Sequence, residues 1–283
     1  MDFPNYFNTL ITIVTYNPKD DFGGKILRYI RIVDKIVIVD NASNNDISKY
    51  IPKEFVSHFV IIKSSTNRGV AWGLNQGILY AQTHDYLYVL TFDQDSLPVN
   101  EILQLYSGLF SKVHNIGLIG TTFSDHKISS PPSISFSENA TLITSGTLHP
   151  ISIFDDIGLY DEGLFIDSVD FDFVLRVKKK FRVLRINEPL ICHELGTPFS
   201  RFGIESSNHN IVRRYYMARN HIIICKRYWK IFPTWIFKKN VFFLIAILKM
   251  LIVEENAKEK FISTIRGIRD ALILNNVSST NYK

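Results

Sequence analysis

The sequence predicts an α/β fold, a mostly parallel sheet flanked by helices, with a helical C-terminal extension. Short apolar runs rich in β-branched residues alternate with stretches of helical periodicity through the first 125 residues. The run Tyr86 to Phe92 leads straight into Asp93-Gln94-Asp95, which sets acid at the carboxyl end of a strand, where open α/β sheets bind their ligands. The charge also reverses along the chain. Residues 1–200 hold 17 Lys and Arg against 22 Asp and Glu, whereas residues 201–283 hold 15 against 5.

The strands are expected at Leu10 to Val14, Ile36 to Val39, Phe59 to Ile62, Tyr86 to Phe92 and Ile116 to Ile119. Ile26, Leu27, Ile30 and Val33 recur at helical spacing after the first strand, and Leu74, Ile78 and Leu79 do so before the fourth. The run ending at Phe92 reads as a buried parallel strand closed by a Ser96-Leu97-Pro98 turn. From Lys127 to Thr147 the chain is rich in Ser, Thr and Pro and reads as loop or edge strand, and helix returns at Asp167 to Lys180. Beyond Phe199 a basic, aromatic helix is expected at Arg213 to Tyr228, an apolar one at Trp235 to Val253 and an amphipathic one at Ala257 to Leu274. The uninterrupted apolar core Val241 to Leu248 falls well short of the about 20 residues that a membrane span needs, so an interfacial or buried helix is expected there.

With 46% apolar and 21% charged residues the chain is globular rather than disordered. Its two cysteines, Cys192 and Cys225, lack the spacing of a metal knuckle and read as reduced thiols. The N-terminal Met-Asp-Phe-Pro-Asn-Tyr carries no basic or apolar leader, so a cytoplasmic protein is expected. No Gly-x-Gly-x-x-Gly follows the first strand and no Gly-x4-Gly-Lys-Ser/Thr occurs, which removes the dinucleotide and P-loop readings.

The polar groups at strand ends are the candidates for chemistry. Thr15-Tyr16-Asn17 closes the first strand and Asp40-Asn41 the second, where an Asp can accept from a ribose hydroxyl or a base N–H. A turn or helix cap explains Asp40 equally well. After the third strand come Asn67-Arg68-Gly69 and Asn75-Gln76-Gly77, whose glycines permit close backbone approach and whose Arg can meet phosphate. Asp93 and Asp95 can hold a divalent cation together with a diphosphate. An Asp-x-Asp pair is expected about once by chance in a chain of this composition, and two occur, Asp93/Asp95 and Asp170/Asp172. Context must therefore discriminate.

In order and interval, Ile13-Val14-Thr15-Tyr16-Asn17, Val37 to Ser43, Asn67-Arg68-Gly69 with Asn75-Gln76-Gly77, and Phe92 to Ser96 resemble the nucleotide-binding half of the family 2 glycosyltransferases, enzymes of the GT-A fold. The resemblance implies that Thr15, Tyr16, Asn17, Asp40, Asn41, Asn67, Arg68, Gly69, Asn75, Asp93 and Gln94 bind the nucleotide sugar. It also implies that Asp93 and Asp95, completed by His193 on a loop after a strand, bind Mg²⁺ or Mn²⁺. Gly163 to Arg176, with its Phe-Ile-Asp-x-Val-Asp, resembles the acceptor-side motif of the bacterial rhamnosyltransferase-like branch. That likeness puts Asp170 in the general-base position, with Val169 where a Glu is usual and Asp167 as a rival. Asp167, Asp172, Arg176 and, from Arg213-Arg214-Tyr215-Tyr216-x-x-Arg219-Asn220, Arg213, Tyr216, Arg219 and Asn220 are the implied acceptor or diphosphate contacts.

The resemblance implies inverting transfer of a sugar, L-rhamnose from dTDP-L-rhamnose, to a lipid-linked or polysaccharide acceptor in O-antigen, capsule or cell-wall polysaccharide synthesis. A UDP-hexose or UDP-galactofuranose donor is the alternative within the class. The expected organisation is a GT-A domain over residues 1–200, its nucleotide-binding half about 1–125 and its acceptor half about 126–200, followed by a basic helical region at 201–283. That region is expected to rest on the inner face of the plasma membrane, where anionic lipid attracts Lys and Arg; a packed helical subdomain that forms a homo-oligomer contact is the bland alternative. A nucleic-acid-binding tail is the rival from another class, disfavoured because its aromatics sit within apolar helices and no nucleic-acid motif occurs.

Overall fold

A computed structural model describes residues 2–126, 128–129, 133–138, 141–193 and 199–273. Packing divides the chain into two compact units, residues 1–162 with 173–194 and residues 163–172 with 195–282.

The first unit is built on one large sheet. Its parallel part runs β3 (Phe59–Lys63), β2 (Lys35–Asp40), β1 (Thr9–Thr15), β4 (Tyr88–Asp93), each within two residues of the apolar run that predicts it. Beyond β4 the order continues through β8 (Thr147–Pro150), β6 (Ile116–Ser124), β9 (Arg182–His193) and β5 (Ser96–Pro98). β8 runs antiparallel to both β4 and β6, and β9 pairs parallel with β6 but antiparallel with β5 and with β7 (Phe136–Glu138). Every residue of β1 is buried, as a central strand covered on both faces requires.

Two local expectations are corrected. Ser96-Leu97-Pro98 is not a turn but the short strand β5, paired with Ile191 to His193. Its proline is tolerated because β5 closes the strand path, where a missing N–H leaves no ladder bond unmade. The helix expected over Ile26 to Val33 is instead α1 (Phe22–Ile26) and a 3-10 turn, Tyr29–Arg31. The glycines Gly23 and Gly24 inside α1 lower its helix propensity. α2 (Val70–Thr83) lies flat on the sheet because Gly77 has no side chain: a Cβ there would collide with the Thr12 hydroxyl. α3 (Ile102–Phe110) and α4 (Ile153–Ile157) complete the unit.

The second unit is helical. α5 (Val169–Val177) straddles the division, which falls after Asp172. A hairpin of β10 (Phe199–Arg201) and β11 (Ile204–Ser206) precedes α6 (Ile211–Tyr228), α7 (Pro233–Val253) and α8 (Ala257–Ile273). The Asn210 side chain caps α6 by accepting from Arg213 N at 2.8 Å. α8 abuts α6 at Gly267, where any Cβ would collide with the Tyr215 carbonyl. The unit's buried charge is paired, Glu254 accepting from Arg214, from Ser206 and from Lys260 Nζ at 3.0 Å. No described helix is long and apolar enough to cross a membrane.

Candidate active site

In the first unit the carboxyl ends of β1, β2 and β4 meet through side-chain bonds. Gln94 Oε1 accepts from Thr15 Oγ1 and from Tyr16 N, both at 2.8 Å. The β1–β4 register, Val14 opposite Asp93, sets those groups side by side. Asn17 N donates to Ser43 Oγ and Asn44 N to Asn17 Oδ1, each at 2.8 Å, tying the loops after β1 and β2 together. Asn17 and Ala42 take positive φ, 47° and 70°. Tyr16 stands about half exposed at this rim.

Asp40 is fully buried. Its Oδ1 accepts from Ser43 N at 2.9 Å, while Oδ2 has no hydrogen-bond partner among the described residues, a cost that a donor group from a ligand would relieve. Asn41 holds the next loop, its Nδ2 donating to Gly69 O at 2.9 Å and its Oδ1 accepting from Arg68 N at 2.8 Å. Asn67 Oδ1 accepts from Gly69 N. Arg68 lies 4.9 Å over the Trp72 ring, its guanidinium about half exposed and 3.6 Å from Glu162. Asn75 is buried and serves the fold: its amide donates to Tyr160 O and Glu162 Oε1 and accepts from Tyr160 N.

Asp93 ends β4, and its N–H donates to Ser145 Oγ at 3.3 Å; Ser145 in turn donates to Ser96 Oγ at 2.7 Å. Tyr29 OH donates to Ser96 O at 2.6 Å. Burial, and then the negative charge of Asp93 and Asp95, push this hydroxyl well above the usual phenol range. Asp93 and Asp95 supply hard carboxylate oxygens, the donor type that suits a divalent cation such as Mg²⁺ or Mn²⁺. His193 is the last residue of β9 rather than part of a following loop, and its backbone pairs with Ser96, next to Asp95; its side chain lies outside the described residues. Among the described residues no group of three or more His, Cys, Asp and Glu gathers as a metal site. Such an ion would need diphosphate oxygens and water to fill its shell.

In the second unit the acceptor-motif residues and α6 hold one another. Phe165, Asp167 and Ser168 all take φ near +62°, a conformation that surrounding structure must enforce. Asn220, fully buried, supplies that restraint: its Nδ2 lies 2.7 to 2.8 Å from the carbonyls of Leu164, Ile166 and Asp167. Arg219 donates to Gly163 O and lies 4.8 Å over the Tyr216 ring, which itself stacks on Phe165. Arg213 pairs with the Asp167 carboxylate. Asp172, 1% exposed, accepts from Arg227 at 2.9 Å and from Tyr228 OH at 2.8 Å.

Asp170 is half-buried in the first turn of α5, its Oδ1 accepting from Phe171 N at 2.8 Å. Beside it Lys239 of α7 places Nζ 3.5 Å over the Phe171 ring. Burial lowers the Lys239 pKa, and the charge of Asp170 works against that shift. Arg176, in the first unit, donates to Ile157 O and Leu159 O at 2.6 and 2.8 Å and so pins a loop.

Sequence reasoning missed Ser43, Ser96, Ser145 and Lys239. A serine two residues beyond Asn41 and a lone lysine pair in an apolar helix were the signals available for the first and the last.

Residues 11–119 match the profile of glycosyl transferase family 2. A dTDP-rhamnosyl transferase, RfbF of Shigella flexneri, is 26% identical over 288 residues, covering 93% of this chain and 96% of its own length. Among solved structures, S. aureus TarS residues 1–349 superpose with a TM-score of 0.52 at 13% identity, over 93% of this chain and 71% of that one. The mannosyltransferase PcManGT from Pyrobaculum calidifontis, solved with GDP-Man and Mn²⁺, gives 0.53 at 12% identity, over 95% and 76%. The fold is thus of the GT-A type, and residues 11–119 carry the glycosyl transferase profile. Over residues 11–119 the chain is similar to glycosyl transferase family 2, and its full-length likeness is to a rhamnosyl transferase.

Proposed function

We propose that the protein transfers L-rhamnose from dTDP-L-rhamnose, with inversion, to a lipid-linked or polysaccharide acceptor in bacterial surface polysaccharide synthesis, working at the inner face of the membrane. The observation that carries the donor is the full-length similarity to a dTDP-rhamnosyl transferase. In this reading Asp40 Oδ2 accepts a base or ribose proton, and Tyr16 and Arg68 border the nucleotide. Gln94 fixes Thr15 and Tyr16 rather than touching the sugar. Asp93 and Asp95, with His193, hold Mg²⁺ or Mn²⁺, which when bound offsets charge on the departing diphosphate.

Asp170 takes the proton of the acceptor hydroxyl as that oxygen attacks the anomeric carbon. One displacement suffices, and no covalent enzyme intermediate is required. Asp167 is committed to Arg213 and Asp172 to Arg227 and Tyr228, so neither competes for the role. The α6 side chains act through the loop they hold. A panel of dTDP-, UDP- and GDP-sugars, read by nucleotide release with and without added divalent ion, tests the donor. Turnover confined to dTDP-L-rhamnose is expected, and preference for a UDP-sugar would overturn the donor assignment.

A further inference from the structure

α7 has two unlike faces. Its inner side is packed within the second unit: Ile236, Met250 and Val253 are buried, Trp235 meets Phe171 edge-on at 5.7 Å, and Phe243 stacks on His221 at 4.1 Å. On its outer side Phe237, Val241, Leu244, Leu248 and Ile252 recur at i, i+4, i+7, i+11 and i+15, each 42 to 69% exposed. At 3.6 residues per turn these fall within an arc of about 60° to 90°. A contiguous stripe of this kind is not ordinary surface scatter and marks a docking face.

The charges on the helix say what docks. α7 carries Lys238, Lys239 and Lys249 and not one carboxylate. Lys239 belongs to the inner side, over Phe171, while Lys238 and Lys249 both fall beside the stripe, on the same flank. A second copy docked through this stripe would offer those lysines no acid on α7 to meet them. Anionic headgroups, by contrast, match a lysine-flanked apolar stripe, because lysine stems lie along the acyl boundary while their ammonium groups reach the phosphates. The helix does not cross, since it is not apolar enough and its inner side is occupied by protein.

We propose that α7 lies in the plane of an anionic leaflet, its outer stripe at the boundary between headgroups and acyl chains and Lys238 and Lys249 among the phosphates. The proposal rests on the function given above for its purpose, since a lipid-linked acceptor gives the enzyme reason to occupy a leaflet.

The full chain is cosedimented with vesicles of phosphatidylglycerol and phosphatidylethanolamine, and with vesicles of phosphatidylcholine. Phe237→Gln/Leu244→Gln/Leu248→Gln and Lys238→Gln/Lys249→Gln are compared with the wild type, folding being checked by circular dichroism and mass by light scattering. Wild-type partition into anionic vesicles is expected to fall on the order of tenfold or more in the apolar triple variant. It should fall several-fold, with a weaker salt dependence, in the lysine double variant. A folded triple variant that partitions like the wild type overturns the proposal, as does a wild type that ignores vesicles and forms a dimer that the triple variant breaks. dTDP binding on the same samples reads the functional assignment separately: its loss in every sample strikes that assignment and leaves the lipid result standing.

Discussion

Arg213 grips Asp167 through two nitrogens, Nε 3.1 Å from Oδ2 and Nη2 3.0 Å from Oδ1. The gripped residue sits at positive φ between two others in a loop whose carbonyls Asn220 holds from beneath. The pair is partly exposed, so it stabilises the loop by about 1–2 kcal/mol rather than more. Its chief effect is to occupy the one carboxylate that could rival Asp170.

Asp170→Asn and Asp167→Asn should therefore separate. The first is expected to lower kcat by about 10²–10⁴, the range of a lost general base, with dTDP affinity unchanged. The second should lower Tm and cut kcat modestly. If Asp167→Asn proves the more damaging to turnover while both remain folded, the base assignment passes to Asp167.

Asp93→Ala, or EDTA on the wild type, should weaken dTDP binding tenfold or more, as expected when an ion bridges the carboxylates and the diphosphate. Isothermal titration with and without Mn²⁺ measures it. Equal affinity in both conditions would reduce the pair to a structural role, with Tyr29 and Ser96 as its neighbours.

Gln94→Ala removes the acceptor shared by Thr15 Oγ1 and Tyr16 N. Thr15 is buried, so its orphaned hydroxyl should destabilise by about 1–3 kcal/mol, and release of Tyr16 should raise the donor KM more than it lowers kcat. Urea unfolding and initial rates read the two effects. A kcat loss with unchanged KM would mean that Gln94 acts on the reacting sugar instead.

What the sequence made legible follows signal length. β1 to β4 and α6 to α8 rest on long apolar runs or sustained periodicity, and each stands close to its expected place. β5 and β8 are three and four residues long, below any periodic signal, and exist because longer strands offer them ladders. α3 has no counterpart among the expected helices, although Ile102, Tyr106 and Leu109 carry helical spacing. In the site, residue type did not separate ligand contacts from clamps. Asn75 and Asn220 each direct an amide at backbone carbonyls from sequence distances of 53 to 85 residues, a register that only the folded chain creates.

His149 gives the fold a pH dependence separate from catalysis. The ring is fully buried on β8, with Nδ1 3.2 Å from Val89 O and Nε2 2.7 Å from Tyr160 OH. A carbonyl can only accept, so Nδ1 carries the proton and Nε2 accepts from the tyrosine. Burial pushes the His149 pKa down to about 4, the bonds to Val89 and Thr147 opposing it in part. The unfolded chain, near 6.5, then binds the extra proton more readily through the interval between these values, so stability falls as pH drops from about 6.5 toward 4 and is untouched above. The loss at pH 5 relative to pH 7.5 should be about 2 kcal/mol from this group. His149→Gln should lower stability at neutral pH yet flatten the difference between the two pH values by that amount in urea midpoints. An equal slope in variant and wild type would place the acid sensitivity elsewhere, in the buried pairing of Glu254 with Arg214 and Lys260.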